Sequence, residues 1–160
     1  QFVADVGSQV VMALPYPSTT QHVAAVEGRI KKIGETLRAD GGVRFGVSSH
    51  IARLVLACNR LDPKVRAAIN LRYNKKLLQA LKKVGLTASS FDRKLEPKRV
   101  KTMEGETLGW GVEQVFKKAE KIPDVIYDLG GEGKEPMIRV TGRSILEVTE
   151  KIHRALEHLN

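Results

Sequence analysis

Apolar positions in this chain recur at two different periods that alternate along its length. Between residues 49 and 61, Ile51, Leu54, Val55, Cys58 and Leu61 return every three or four positions, the spacing of one helix face. Ser48 or Ser49 is placed to cap the start of that helix, and Asp62-Pro63 stops it. The same spacing predicts helices over 74–84, on Leu77, Leu78, Leu81 and Val84, and over 108–121, on Leu108, Val112, Val115, Phe116 and Ala119. A last helix is predicted over 145–159, on Ile145, Val148, Ile152, Ala155 and Leu159. Gly85 closes the second of these helices. Short β-prone runs predict strands at 9–14, 43–47, 67–73, 87–91, 124–129 and 137–140. A further strand follows a short turn within 23–33, and residues 2–6 form a partner segment for the first strand. Residues 93–104 are charged and read as irregular.

Strands and helices that alternate in this way predict an α/β fold: a single-domain sandwich with a central mixed sheet flanked by helices. A length of 160 residues fits one domain with a substantial core. No apolar run approaches membrane-spanning length and no leader pattern opens the chain, so no membrane partner is expected. The lone cysteine, Cys58, lies inside a helical apolar stripe and reads as a small core hydrophobe. One cysteine allows no internal disulfide, which suits a reducing, cytoplasmic location. The first residue is Gln1 rather than Met, and the chain is expected to be one domain, 1–160, cut from something longer.

The formal charge of +9 implies anionic partners. Aromatic residues are too few, and too little interleaved with basic ones, for a single-strand stacking platform. Lys75, Lys76, Lys82 and Lys83 flank a leucine stripe with no helix-turn-helix partner before it, so they read as a solvated helix face and no direct nucleic-acid contact is expected. Nucleic acid, acidic membrane and phosphorylated small molecules all fit the charge itself, and small phosphorylated substrates are the partners expected. The chemistry is expected where the strand ending near Val47 turns through Ser48, Ser49 and His50 into a helix. Backbone N–H groups and the helix dipole attract phosphate there, and Arg44 and Arg53 stand beside it. The alternative is that the serine merely caps the helix.

A second candidate is the loop Gly130–Pro136, whose glycines let backbone approach a ligand closely and whose Lys134 could neutralise phosphate. It is not a P-loop: Glu135 follows Gly133-Lys134, and Asp128 stands where the first glycine is required. A plain connection between two strands is its other reading. Arg29, Arg44, Arg53, Arg72, Arg93 and Arg139 form a dispersed set suited to phosphate oxygens, of which a subset is expected to converge. His22, His153 and His158 show no metal-ligand spacing. Asp124, Asp128, Glu132 and Glu135 are candidate oxygen donors to a hard cation such as magnesium, with the metal ligands themselves left open.

Five segments in order, VAAVEGRI (23–30), GGVRFGVSSHIAR (41–53), VRAAINLRY (65–73), FDR (91–93) and PDVIYDLGGEGKEPMIRV (123–140), resemble the ThiN-type thiamine-phosphate synthase domain. The likeness runs from about Ala13 to the last helix. It implies an α/β sandwich, a homodimer, and a position at the C-terminus behind a kinase domain absent from this chain. It implies a transferase that joins hydroxymethylpyrimidine diphosphate to hydroxyethylthiazole phosphate, giving thiamine phosphate and pyrophosphate, with magnesium as cofactor. A second branch of the family fuses the domain to a DNA-binding region and senses thiamine phosphates; the resemblance implies that this branch lacks the histidine found here at position 50. Arg29 and His50 match the two residues of functional importance. Arg44, Phe45, Ser48, Ser49, Arg53, Asn70, Arg72, Asp92, Asp128, Gly133, Lys134, Glu135 and Met137 fall at expected substrate-shell positions.

Overall fold

The computed structural model describes residues 2–103 and 105–159. Its elements, in chain order, are β1 (Val10–Ala13), β2 (Val23–Val26), β3 (Ile30–Ile33), β4 (Thr36–Ala39), β5 (Val43–Phe45), α1 (His50–Leu61), β6 (Ala67–Arg72), α2 (Lys75–Lys83), β7 (Ala88–Ser90), α3 (Lys98–Thr102), α4 (Glu106–Ala119), β8 (Val125–Asp128), β9 (Met137–Gly142) and α5 (Ile145–Leu156). Seven strands make one sheet in the order β5-β2-β1-β6-β9-β8-β7. Its pairings are antiparallel except that of β7 with β8, which is parallel. The sheet is therefore mixed, as the alternating pattern predicts.

Helices cover both faces. On one, α1 and α4 bury Leu54, Val55, Val112 and Val115 against Val11, Ala68 and Ile126. On the other, α2 and α5 bury Leu77, Leu81, Val148 and Ala155 against Ala67, Ile138 and Val140. Cys58 is fully buried in the first layer, and that burial pushes its thiol pKa up to about 12. It is a core hydrophobe.

Four local expectations change. The 23–33 region forms two strands, and the second, β3, leaves the main sheet to pair with β4 as an exposed hairpin. Residues 2–6 are not a strand; a turn closed by the Gly7 N–H on the Ala4 carbonyl (2.8 Å) occupies this stretch. The 93–104 stretch holds a short 3-10 turn at Arg93–Leu95 and then α3. Ser49 stands at the N-cap of α1 with right-handed helical torsions, and its side chain makes no capping hydrogen bond.

On the α1/α4 face the sheet changes character along the strands. Val11, Ala68 and Ile126 are apolar; toward one end of the sheet the same strands or their extensions carry Gln9, Asn70 and Asp128, and β9 carries Arg139. Register puts these polar residues side by side, with Asn70 opposite Arg139 and Asp128 opposite Met137. The Gln9 N–H donates to Asn70 Oδ1 at 2.6 Å. A core face that turns polar at one end makes the floor of a site.

Candidate active site

Above that floor lies a cavity of about 600 Å³, within the range of small-molecule sites. Its roof is the start of α1, where Val47, Ser48, Ser49, His50 and Ile51 face inward. One wall is Val6, Gly7 and Arg29; another is Gly133, Lys134, Glu135 and Met137. The end of α3 and the start of α4 close it with Lys101, Thr102, Met103, Gly105, Thr107 and Leu108. The start of α1, where the Ser49 side chain makes no capping hydrogen bond, thus opens into a cavity whose lining carries Arg29, Arg93, Lys101, Lys134 and Arg139, against one carboxylate, Glu135, among the described residues. The field in such a space favours an anion.

Arg29 is held there at a conformational cost. Its φ is +68°, a left-handed conformation that residues other than glycine rarely adopt. Its Nη1 donates to the Val6 carbonyl at 2.7 Å, and the missing Cβ of Gly7 leaves room for its stem. The 5–9 segment that presents the Val6 carbonyl is pinned from two sides. Glu135 accepts from the Asp5 N–H (3.0 Å) and the Val6 N–H (3.5 Å). Asn70 accepts from Gln9 and donates Nδ2 to the Gly7 carbonyl at 3.3 Å.

Asp128, with no exposed surface, anchors the opposite wall. It accepts from Arg93 Nε and Arg139 Nη1, each at 2.7 Å, and from the Gly130 N–H at 2.8 Å. Burial alone would raise the Asp128 pKa; the two guanidinium groups outweigh it and hold the carboxyl below its ordinary range. Gly130 is required at the turn that follows, since a Cβ there would meet the Lys134 carbonyl at 2.4 Å.

Of the residues singled out by sequence, Arg29, Ser48, Ser49, His50, Asn70, Gly133, Lys134, Glu135 and Met137 line this one cavity. Asp128 lies behind the wall. Arg44 and Phe45 lie on the edge strand β5, away from the lining, with Arg44 Nε 3.6 Å from Glu27. Arg72 is exposed and pairs with Asp5 at 3.2 Å. Asp92 is exposed and caps the 3-10 turn by accepting from the Lys94 N–H. The Arg53 side chain runs beneath Gly105, behind the lining. Of the dispersed arginines, Arg29, Arg93 and Arg139 converge. Lining residues without an individual sequence signal include Val6, Gly7, Gln9, Lys101, Thr102, Met103, Gly105 and Thr107; nothing in periodicity marks a segment that reaches the site by tertiary folding.

Among the described residues no three metal-ligating side chains converge. Asp124 and Asp128 stand at opposite ends of β8, and Asp128 is already neutralised. Glu135 is the carboxylate on the wall. Magnesium often takes one protein carboxylate and completes its shell with water and phosphate oxygens, a requirement this donor set meets.

An α/β sandwich with a ligand-sized, cation-lined cavity at one end of its sheet is the class of protein that fold and site define. The chain belongs to the ThiN family: the model of "Thiamine-phosphate synthase ThiN" matches residues 1–154, reaching further toward the N-terminus than the quoted motifs. The thiamine-phosphate synthase ThiN of Methanothermobacter thermautotrophicus is 40% identical over 148 residues, 92% of this chain and 78% of the relative. The bifunctional thiamine biosynthesis protein ThiDN of Methanocaldococcus jannaschii is 43% identical over 152 residues, 94% of this chain. The chain spans only 35% of that bifunctional relative's length. A solved C-terminal domain of phosphomethylpyrimidine kinase superposes with a TM-score of 0.92 at 42% identity, covering 96% of this chain and 87% of that one.

Proposed function

We infer that this domain is a transferase that condenses hydroxymethylpyrimidine diphosphate with hydroxyethylthiazole phosphate to give thiamine phosphate and pyrophosphate. The family match over nearly the whole chain supports the reaction class. The observation that carries the site assignment is the meeting of Arg29 and His50 in one cavity, at the start of a helix that Ser49 does not cap.

The chemistry asks little of a base, because the thiazole nitrogen attacks with its own lone pair. The methylene–oxygen bond to the diphosphate breaks, charge collects on the leaving oxygens, and the pyrimidine methylene becomes electron-poor. Donors fixed in advance around those oxygens lower the barrier. In this reading Arg29 pairs with the diphosphate and His50, with the N–H groups of the first α1 turn, hydrogen-bonds the departing pyrophosphate. A magnesium ion carried in on the diphosphate would be met by Glu135 and would spread the same charge.

The same reading includes phosphate binding, a homodimer, a cytoplasmic location and a kinase domain fused ahead of this one. The bifunctional relative, of which this chain matches a third, supports the fusion. Among the described residues no helix is long and apolar enough to cross a membrane. The test is turnover: purified protein with both substrates and magnesium is expected to form thiamine phosphate, and His50→Ala to reduce kcat about a hundredfold, the usual loss for one leaving-group donor, with an unchanged circular dichroism spectrum. Folded protein that binds thiamine phosphate but never forms it would overturn the assignment.

A further inference from the structure

Arg29, Arg93, Lys101, Lys134 and Arg139 line the cavity, and the proposed reaction brings it two anionic substrates. We propose that the pole built by Arg93 and Arg139 on Asp128 is a separate anion subsite, which takes the phosphate monoester of the thiazole substrate, while the Arg29/His50 pole takes the diphosphate. This rests on the function inferred above and adds a division of labour to it.

Three observations carry the assignment. The first is charge: two guanidinium groups share one buried carboxylate, which leaves a net positive charge in a wall almost closed to water. A surplus cation in such a place is stabilised by an incoming anion. The second is unsatisfied donor capacity. Arg139 is 97% buried, donates Nη1 to Asp128, and its Nε has no partner among the described residues. Asp128, by fixing both side chains, leaves the remaining guanidinium donors preorganised. The third is spacing. Arg29 packs against the Val6–Gly7 segment that leads into β1, and Arg139 lies in β9 with β6 between β1 and β9, so the two cations stand on different walls of the cavity. The substrates need such a separation: attack by the thiazole nitrogen comes from the side opposite the departing diphosphate, and the thiazole phosphate hangs from a side chain on the far side of its own ring.

Arg93→Gln tests the division, because it removes the surplus charge yet leaves Asp128 its partnership with Arg139. Initial rates are measured against each substrate in turn, and also with the unphosphorylated thiazole alcohol. Arg93→Gln is expected to raise KM for the thiazole phosphate tenfold or more, to change KM for the diphosphate by less than threefold, and to lose most of the preference for phosphate over alcohol. A merely structural arginine would not move that last ratio. Arg93→Lys, which keeps the charge and the ion pair, is expected to recover most of the preference; it makes the same comparison if the glutamine variant does not fold. An increase confined to KM for the diphosphate, or an unchanged phosphate preference, overturns the subsite. Wild-type protein without turnover would sink the underlying function, a result distinct from either.

Discussion

Arg29 shows how a single position can trade stability for placement. A left-handed φ at a residue with a Cβ costs of the order of 1 kcal/mol, and the cost persists here because the Val6 carbonyl holds the guanidinium at 2.7 Å. Gly28, with φ +77°, opens the same turn. Two substitutions separate backbone from side chain. Arg29→Gly and Arg29→Ala both remove the guanidinium and are both expected to abolish turnover, but the glycine variant should be the more stable by about 1 kcal/mol in urea unfolding. Equal midpoints would mean that the turn carries no strain. The sequence marks Arg29 through a family motif, but not its conformation. The determinants of that conformation are Gly7, Asn70 and Glu135, which approach it only in the fold. Glu135 illustrates the point: an oxygen donor by its place in a glycine-rich loop, it accepts the Asp5 and Val6 N–H groups.

Helices differ in how their starts are finished. In α2 the cap is complete, since Asn74 Oδ1 accepts from the Leu77 N–H at 3.0 Å. In α5 Ser144 accepts from the Glu147 N–H at 3.2 Å. At α1 the residue in the same role makes no such bond, and the start of this helix lines the cavity. Asn74→Ala is therefore expected to destabilise the fold by about 1 kcal/mol, whereas Ser49→Ala should change it by less than about 0.5 kcal/mol. Thermal or urea unfolding of the two variants checks the contrast. The existence of the long helices is legible in the sequence because each buries a face of several apolar residues at helical spacing. β6 is equally legible because it is buried on both sides, as Ala67, Ala68, Asn70 and Leu71 show. The β3–β4 hairpin is not: Lys31, Lys32 and Arg38 leave it no apolar alternation, and it stands outside the main sheet. The α3 segment is obscured for a similar reason, since Val100 is its sole buried side chain.

At the scale of the molecule, β8 is clamped by charge at both ends. Asp128 meets Arg93 and Arg139 at the cavity end; Asp124 meets Lys151 at 2.8 Å at the other, where Lys151 also reaches Glu147 at 2.8 Å and the Thr141 carbonyl. For Asp124 and Glu147, as for Asp128, burial works to raise the carboxyl pKa. It is outweighed at Asp124 by Lys151 and Thr87, and at Glu147 by Lys151 and the Arg143 N–H, so all three sit below their ordinary values. A carboxyl whose pKa is lower folded than unfolded stabilises the fold fully above its unfolded pKa, near 4, and loses that contribution as pH falls through the folded value. The urea midpoint is therefore expected to hold between about pH 5 and 8 and to drop below about pH 4. Lys151→Met isolates the end remote from the cavity. It should lower the midpoint at pH 7, where Asp124 and Glu147 are charged and lose their partner, and lower it progressively less as pH falls below about 4, the unfolded pKa, toward the lowered folded values, where the pairing contribution is lost. The two stability curves should thus converge in acid while turnover at pH 7 stays at the parent level. A gap of constant size across that range would assign the Lys151 contribution to packing of its alkyl stem rather than to charge.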